Sequence, residues 1–112
     1  MYSLKNIAEI TSNNRKEINE FLELFCNESA SAILKFQEGV SKNDITTIKF
    51  YAHKLKLSLK YLELNDLFDC CFEIESANEF LSFKLISEKV NFLTLSLEQV
   101  IHEIRSKELL QE

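Results

Sequence analysis

Apolar residues recur along this chain at steps of three and four, the spacing that keeps one side of an α-helix out of water. The longest stripe is Ile18, Phe21, Leu22, Phe25, Ile33 and Phe36. It ends at Gly39, which suits a left-handed helix cap, and the polar Asn27-Glu-Ser29 in its middle predicts a bend. Asn14 with Glu17 three residues later has the form of a capping box at its start, after the polar break Thr11-Ser-Asn-Asn14. Ahead of that break, Leu4, Ile7 and Ile10 share a face and predict a short helix over residues 3–9. The most regular stripe, opened by Asn43 or Asp44, is Ile45, Ile48, Ala52, Leu55, Leu59 and Leu62. Glu63 and Leu64 lead into Asn65, a cap for a helix carrying Leu67, Cys70, Cys71, Ile74 and Ala77. After a break over residues 78–82, Val90, Leu93, Leu97, Val100 and Ile104 mark the last helix. Short loops between long amphipathic helices make neighbours antiparallel. The expected fold class is all-α: an antiparallel up-and-down four-helix bundle with a short extra N-terminal helix across one end.

Composition sharpens this picture. The chain has one glycine and no proline, residues that hairpins and doubly wound sheets place at their turns and that helices exclude. Its 112 residues fit one domain over residues 1–112, and 46% apolar content can build a core without disulfides or metals. A net charge of −5 argues against a broad nucleic-acid surface. No apolar run approaches the roughly 20 residues that cross a bilayer. The start lacks the charged-then-apolar pattern of a signal peptide, so a cytoplasmic location and, from the polar outer faces, a monomer are expected. Three cysteines, two of them adjacent and none in a C-x-x-C pair, are expected to be reduced, small apolar residues.

Candidate chemistry lies on the third predicted helix, the one with the most regular stripe. His53 follows the seam residue Ala52, about 100° around the helix, and so sits on its shoulder. Lys49, His53, Lys56 and Lys60 follow at steps of four, three and four and form one stripe. An imidazole nitrogen is a nucleophile near neutral pH and can form a phosphoramidate, whose charge neighbouring ammonium groups would offset. Taken alone, the lysines also fit a plain solvated face near a helix C-terminus.

The stretch Ala52-His53-Lys54-Leu55-Lys56-x-Ser58 resembles the phosphorylation motif of histidine-containing phosphotransfer (HPt) domains. The likeness continues through Leu62, Leu67, Cys71 and Glu75, and upstream through Leu4 to Ile10, Gly39 and Asn43-Asp44. It implies a relay in which His53 takes a phosphoryl group from the aspartate of one receiver domain and passes it to another, with Lys56 steadying the phosphoryl oxygens. Implied partners are response-regulator receiver domains or a hybrid sensor histidine kinase. No cofactor is expected on this chain, since magnesium would come with the receiver's carboxylates. One glycine leaves no Gly-rich phosphate loop, so a passive carrier without an ATP site is expected.

Departures from the motif bear on the same face. Leu57 stands where the family usually has glycine, on the ground that covers His53. With Phe50 and Tyr61 it forms an apolar strip, expected to dock a receiver together with Lys49, Lys60 and Glu75. Glu75 brings a carboxylate where relatives often have a neutral or basic side chain, and would repel a phosphoryl group or pair with Lys56. Glu63 replaces a frequent turn glycine. These changes keep open a degenerate module that docks receivers without transfer, and beside it an unrelated helical interaction domain. His102, with Glu98 one turn before and Arg105 three residues on, lacks the lysine stripe and reads as a surface residue. Two isolated histidines make no metal site. No hydrolytic nucleophile or acid–base pair is recognisable.

Overall fold

The computed structural model describes residues 1–78 and 81–109, and these form helices without any strand. The helices are α1 (Lys5–Ile10), α2 (Arg15–Ser41), α3 (Ile45–Tyr61), α4 (Asn65–Glu75) and α5 (Phe83–Lys107). Each of the three longest begins at a side-chain cap, which satisfies a backbone N–H that the helix itself leaves free. The Glu17 N–H donates to Asn14 Oδ1 at 3.1 Å, the Thr47 N–H to Asp44 Oδ1 at 3.1 Å, and the Leu85 N–H to Ser82 Oγ at 3.2 Å. Asp44 is fastened further by the Thr47 hydroxyl, which donates to its second oxygen at 2.8 Å. α4 departs from expectation: Asn65 is its first residue, and Leu64 flanks it without a side-chain cap. Leu64 is buried, so apolar packing fixes this helix start instead.

Among the described residues, four with left-handed backbone stand in the turns before α2, α3 and α4: Ser12 (φ 53), Asn13 (φ 63), Asn43 (φ 57) and Glu63 (φ 58). Asn tolerates this region, whereas Glu63 pays roughly 1–2 kcal/mol for a place that glycine fills freely. Gly39, expected as a helix cap, is not one. It lies within α2, and Asn43 takes the left-handed position. Gly39 is needed for close approach, because a Cβ there would stand 2.7 Å from Ile48 Cγ1 and 3.2 Å from the Asp44 carbonyl oxygen. Ile48 is fully buried and has no room to retreat. Gly39→Ala is therefore expected to destabilise despite a gain of up to about 1 kcal/mol in helix propensity. Overpacking costs about 1–3 kcal/mol, so urea denaturation should show a net loss of up to about 2 kcal/mol even after the full propensity gain. An unchanged midpoint would show that α3 shifts freely.

At Asn27-Glu-Ser29, where a bend was expected, α2 runs on without a break in the helix, with Ser29 turned into the core. α1 also differs in detail: Ile7 is buried and Leu4 half-buried, but Ile10 is exposed. The chain turns straight after Ile10, where the Thr11 hydroxyl donates to the Ile7 carbonyl at 2.7 Å, and this leaves Ile10 on the outside. The N-terminal segment is tied down at both sides. The Ser3 N–H donates to the Leu62 carbonyl at 2.9 Å, and the Tyr2 hydroxyl donates to Glu108 Oε2 at 2.9 Å. Burial, then the Glu108 carboxylate, pushes the Tyr2 phenol up to about 12.

α2 packs on α3 and α5, and α4 packs on the same two, so the four longer helices surround one core. Phe25 and Phe36 of α2, Leu59 of α3, Ile74 of α4 and Leu97 of α5 are among its fully buried members. Burying each such side chain stabilises by about 1.5–3 kcal/mol. The last seam, Val90, Leu93, Leu97, Val100 and Ile104, is buried throughout. Cys26, Cys70 and Cys71 are free and buried. Burial pushes the Cys71 thiol up to about 12 and Cys70 up to about 11, which keeps both protonated and unreactive.

Candidate functional site

α3 and α4 are joined by the three residues 62–64, so their neighbouring flanks meet side by side. The Lys49 ammonium donates to the Ala77 carbonyl at 2.6 Å. His53 Nδ1 and Lys56 Nζ each pair with one oxygen of Glu75. Lys56 also lies over the Phe72 ring, 5.5 Å from its centroid, and Lys60 over Phe68 at 5.9 Å. Positions rise along α3 as their partners fall along α4, so these two helices run antiparallel.

Glu75 is the hinge of this arrangement. Its carboxyl is held below the ordinary carboxylate range, mainly by the hydrogen bond from Lys56 and further by His53, against a desolvation that works the other way. A carboxylate only accepts, so the proton of the His53–Glu75 hydrogen bond is on Nδ1. The neutral imidazole then carries its free lone pair on Nε2. The His53 side chain is 67% exposed, and Nε2 belongs to a ring that a partner can reach. Because the folded Glu75 titrates below its ordinary value of 4.5, its ion pair with Lys56 and its hydrogen bond from His53 stabilise the fold above that pH and are lost as pH falls through the lower folded value. Melting temperature is expected to drop on acidification in this window. Glu75→Gln should flatten that part of the profile, and an unaltered profile would show that the pairs contribute nothing to stability.

The model of the Hpt domain matches residues 20–107, well over half of the chain and all of α3, α4 and α5. The chain belongs to the Hpt family. No curated protein and no solved structure matches it. Hpt domains are phosphocarrier modules of two-component signalling rather than enzymes with an ATP site of their own, and they work with receiver domains or kinases. Among the described residues, no helix is long and apolar enough to cross a membrane, and no group of His, Cys, Asp and Glu is placed to hold a metal ion.

The remaining residues singled out on this Hpt domain divide by exposure. Leu57 is 59% and Phe50 57% exposed, flanking the His53 face. Tyr61 is half-buried with its ring edge-on to Phe21, centroids 6.4 Å apart, so it joins α3 to α2 as much as it faces solvent. Lys49 is engaged at the end of α4, where a cation meets backbone carbonyls that the helix leaves free. Lys60 remains exposed beside Phe68. His102 is exposed and lies on α5. The Ser106 hydroxyl donates to its carbonyl, and among the described residues its ring makes no ion pair or side-chain hydrogen bond with Glu98. One residue escaped the sequence analysis. Phe72, 54% exposed, stands beside Lys56 and extends the apolar surface onto α4. Its signal was present in the spacing of Phe68, Phe72 and Glu75 at steps of four and three, a second stripe beside the buried one.

Proposed function

We propose that this chain is a phosphoryl carrier, one domain over residues 1–112, folded as an antiparallel up-and-down bundle and working as a cytoplasmic monomer between receiver domains. His53 Nε2 attacks the phosphorus of a receiver's aspartyl phosphate. The N–P bond forms as the P–O bond breaks, and its electrons leave on the aspartate carboxylate. The imidazolium so formed donates from Nδ1 to Glu75, which holds the ring as charge develops. Lys56 turns from Glu75 to the phosphoryl oxygens, and magnesium arrives with the receiver. Phe50, Leu57 and Phe72 pack against the receiver, with Lys60 and Tyr61 at the margin and Lys49 bracing α4.

The observation that carries this reading is the Nδ1 hydrogen bond to Glu75, which leaves Nε2 as the nucleophile on an exposed ring. A second reading, docking without transfer, is favoured by Glu75 alone, since its carboxylate already occupies Lys56. Phosphoryl uptake from a panel of phosphorylated receiver domains, read as intact mass at neutral to alkaline pH, separates the two. An acid-labile gain supports the carrier. Binding with no gain from any receiver establishes the docking module.

A further inference from the structure

The other flank of α4 carries the opposite charge. Asp66, Asp69 and Glu73, at steps of three and four, face α5 across a hollow of about 400 Å³ that Leu85, Glu88 and Phe92 close from the far side. A second hollow of about 380 Å³ shares Asp66 and Phe92 with it and continues past Glu63 to Val100. The groove therefore follows α5 from Leu85 to Val100, about 22 Å at 1.5 Å per residue. Leu85 and Phe92 are large apolar side chains left exposed in it. Five carboxylates, Glu63, Asp66, Asp69, Glu73 and Glu88, line it against one basic side chain, Lys89, and Met1 at the N-terminus. The Lys89 ammonium is already held by Glu73 at 2.8 Å, and among the described residues Asp66, Asp69 and Glu88 have no ion pair.

We propose that this groove docks a basic amphipathic helix of a partner protein, on a face separate from His53. Charge decides the sign of the partner, because unpaired carboxylates along both walls repel an anionic surface and attract lysine or arginine. The exposed Leu85 and Phe92 require an apolar stripe on the same ligand. A groove of this length between two helices takes about four turns of helix, whose cations at steps of three and four match Asp66, Asp69 and Glu73. A second copy of this chain fits poorly. Of its own basic stripe, Lys49 is already bonded to Ala77 just past α4, Lys56 to Glu75, and Lys60 lies over Phe68.

The proposal is tested on the full chain, isotopically labelled, with a synthetic Lys–Leu amphipathic peptide of about 18 residues, long enough to span the groove. A scrambled peptide of the same composition serves as comparison. Saturable binding of the amphipathic peptide alone is expected, with amide shifts confined to α4 and α5. Phe92→Ala and Asp69→Lys, both at exposed positions, should each weaken it at least about tenfold, while Leu34→Ala on α2 leaves it unchanged. Circular dichroism checks that each variant is folded. Equal binding of the scrambled peptide, or shifts centred on α3, would overturn the proposal. So would saturable calcium binding at the same carboxylates, or a dimer that Phe92→Ala dissolves.

Discussion

His53→Gln is expected to abolish phosphoryl uptake and leave the helical circular-dichroism signal where it was. The imidazole Nε2 is the only group on this face with a lone pair suited to the N–P bond, and an amide nitrogen has none to offer. Uptake should fall to background, not to a fraction. The fold should be spared because the side chain is mostly exposed and its partner is a surface ion pair. Exposed pairs contribute about 0–1 kcal/mol, and the glutamine amide can still donate to Glu75. His102 supplies an internal control: it is exposed, lies on α5 and has no lysine beside it in an ion pair or ring contact. An acid-labile mass gain that survives in His53→Gln and vanishes in His102→Gln would move the phosphoryl group to α5 and end the proposed mechanism.

The helices were legible because burial demands periodicity. Ile48, Ala52, Leu55, Leu59 and Leu62 step by three and four, and all are buried. The N-cap at Asn14, and Asp44 as one of two candidates with Asn43, were legible for a related reason, since a side chain that satisfies the Glu17 or Thr47 N–H is a local matter of few bonds. Gly39 shows where local rules fail. Its role depends on Ile48 of the next helix, and only the packing of α2 on α3 reveals a steric need rather than a turn. Asn65 failed likewise, because burial of Leu64 displaced the side-chain cap that composition suggested. At the site, the stripe of Lys49, His53, Lys56 and Lys60 could be laid out from spacing, and Glu75 could be named as a departure. The role of Lys49 could not, and the pairing of Lys56 with Glu75 could be named only as one of two outcomes. Lys49 reaches the Ala77 carbonyl and Lys56 reaches Glu75 through the register of α4 on α3, which the packing of the core between them sets.

Lys56→Ala is expected to slow phosphoryl transfer by about 10²–10³-fold, the loss seen when a donor aimed at developing charge is removed. Receiver affinity should change much less, because the ammonium contributes little to docking while solvent screens it. The variant has a second consequence that this structure makes explicit. Without Lys56, the Glu75 carboxylate stands beside His53 with no ammonium to offset it and repels the incoming phosphoryl group. Glu75→Gln separates the two contributions. Its amide oxygen still accepts from Nδ1, its charge is gone, and Lys56 is free to turn toward the phosphoryl oxygens. Transfer in Glu75→Gln should thus match or exceed that of the unaltered chain. In the double variant Lys56→Ala/Glu75→Gln, about tenfold of the lost rate should return, equivalent to about 1.4 kcal/mol of barrier. Single-turnover transfer from one phosphorylated receiver, followed for all four proteins, measures this coupling. No recovery in the double variant would assign the whole effect of Lys56 to direct contact with the phosphoryl group. A collapse of transfer in Glu75→Gln itself would mean that the full carboxylate charge is required to hold the His53 imidazolium, and that Lys56 merely tempers it.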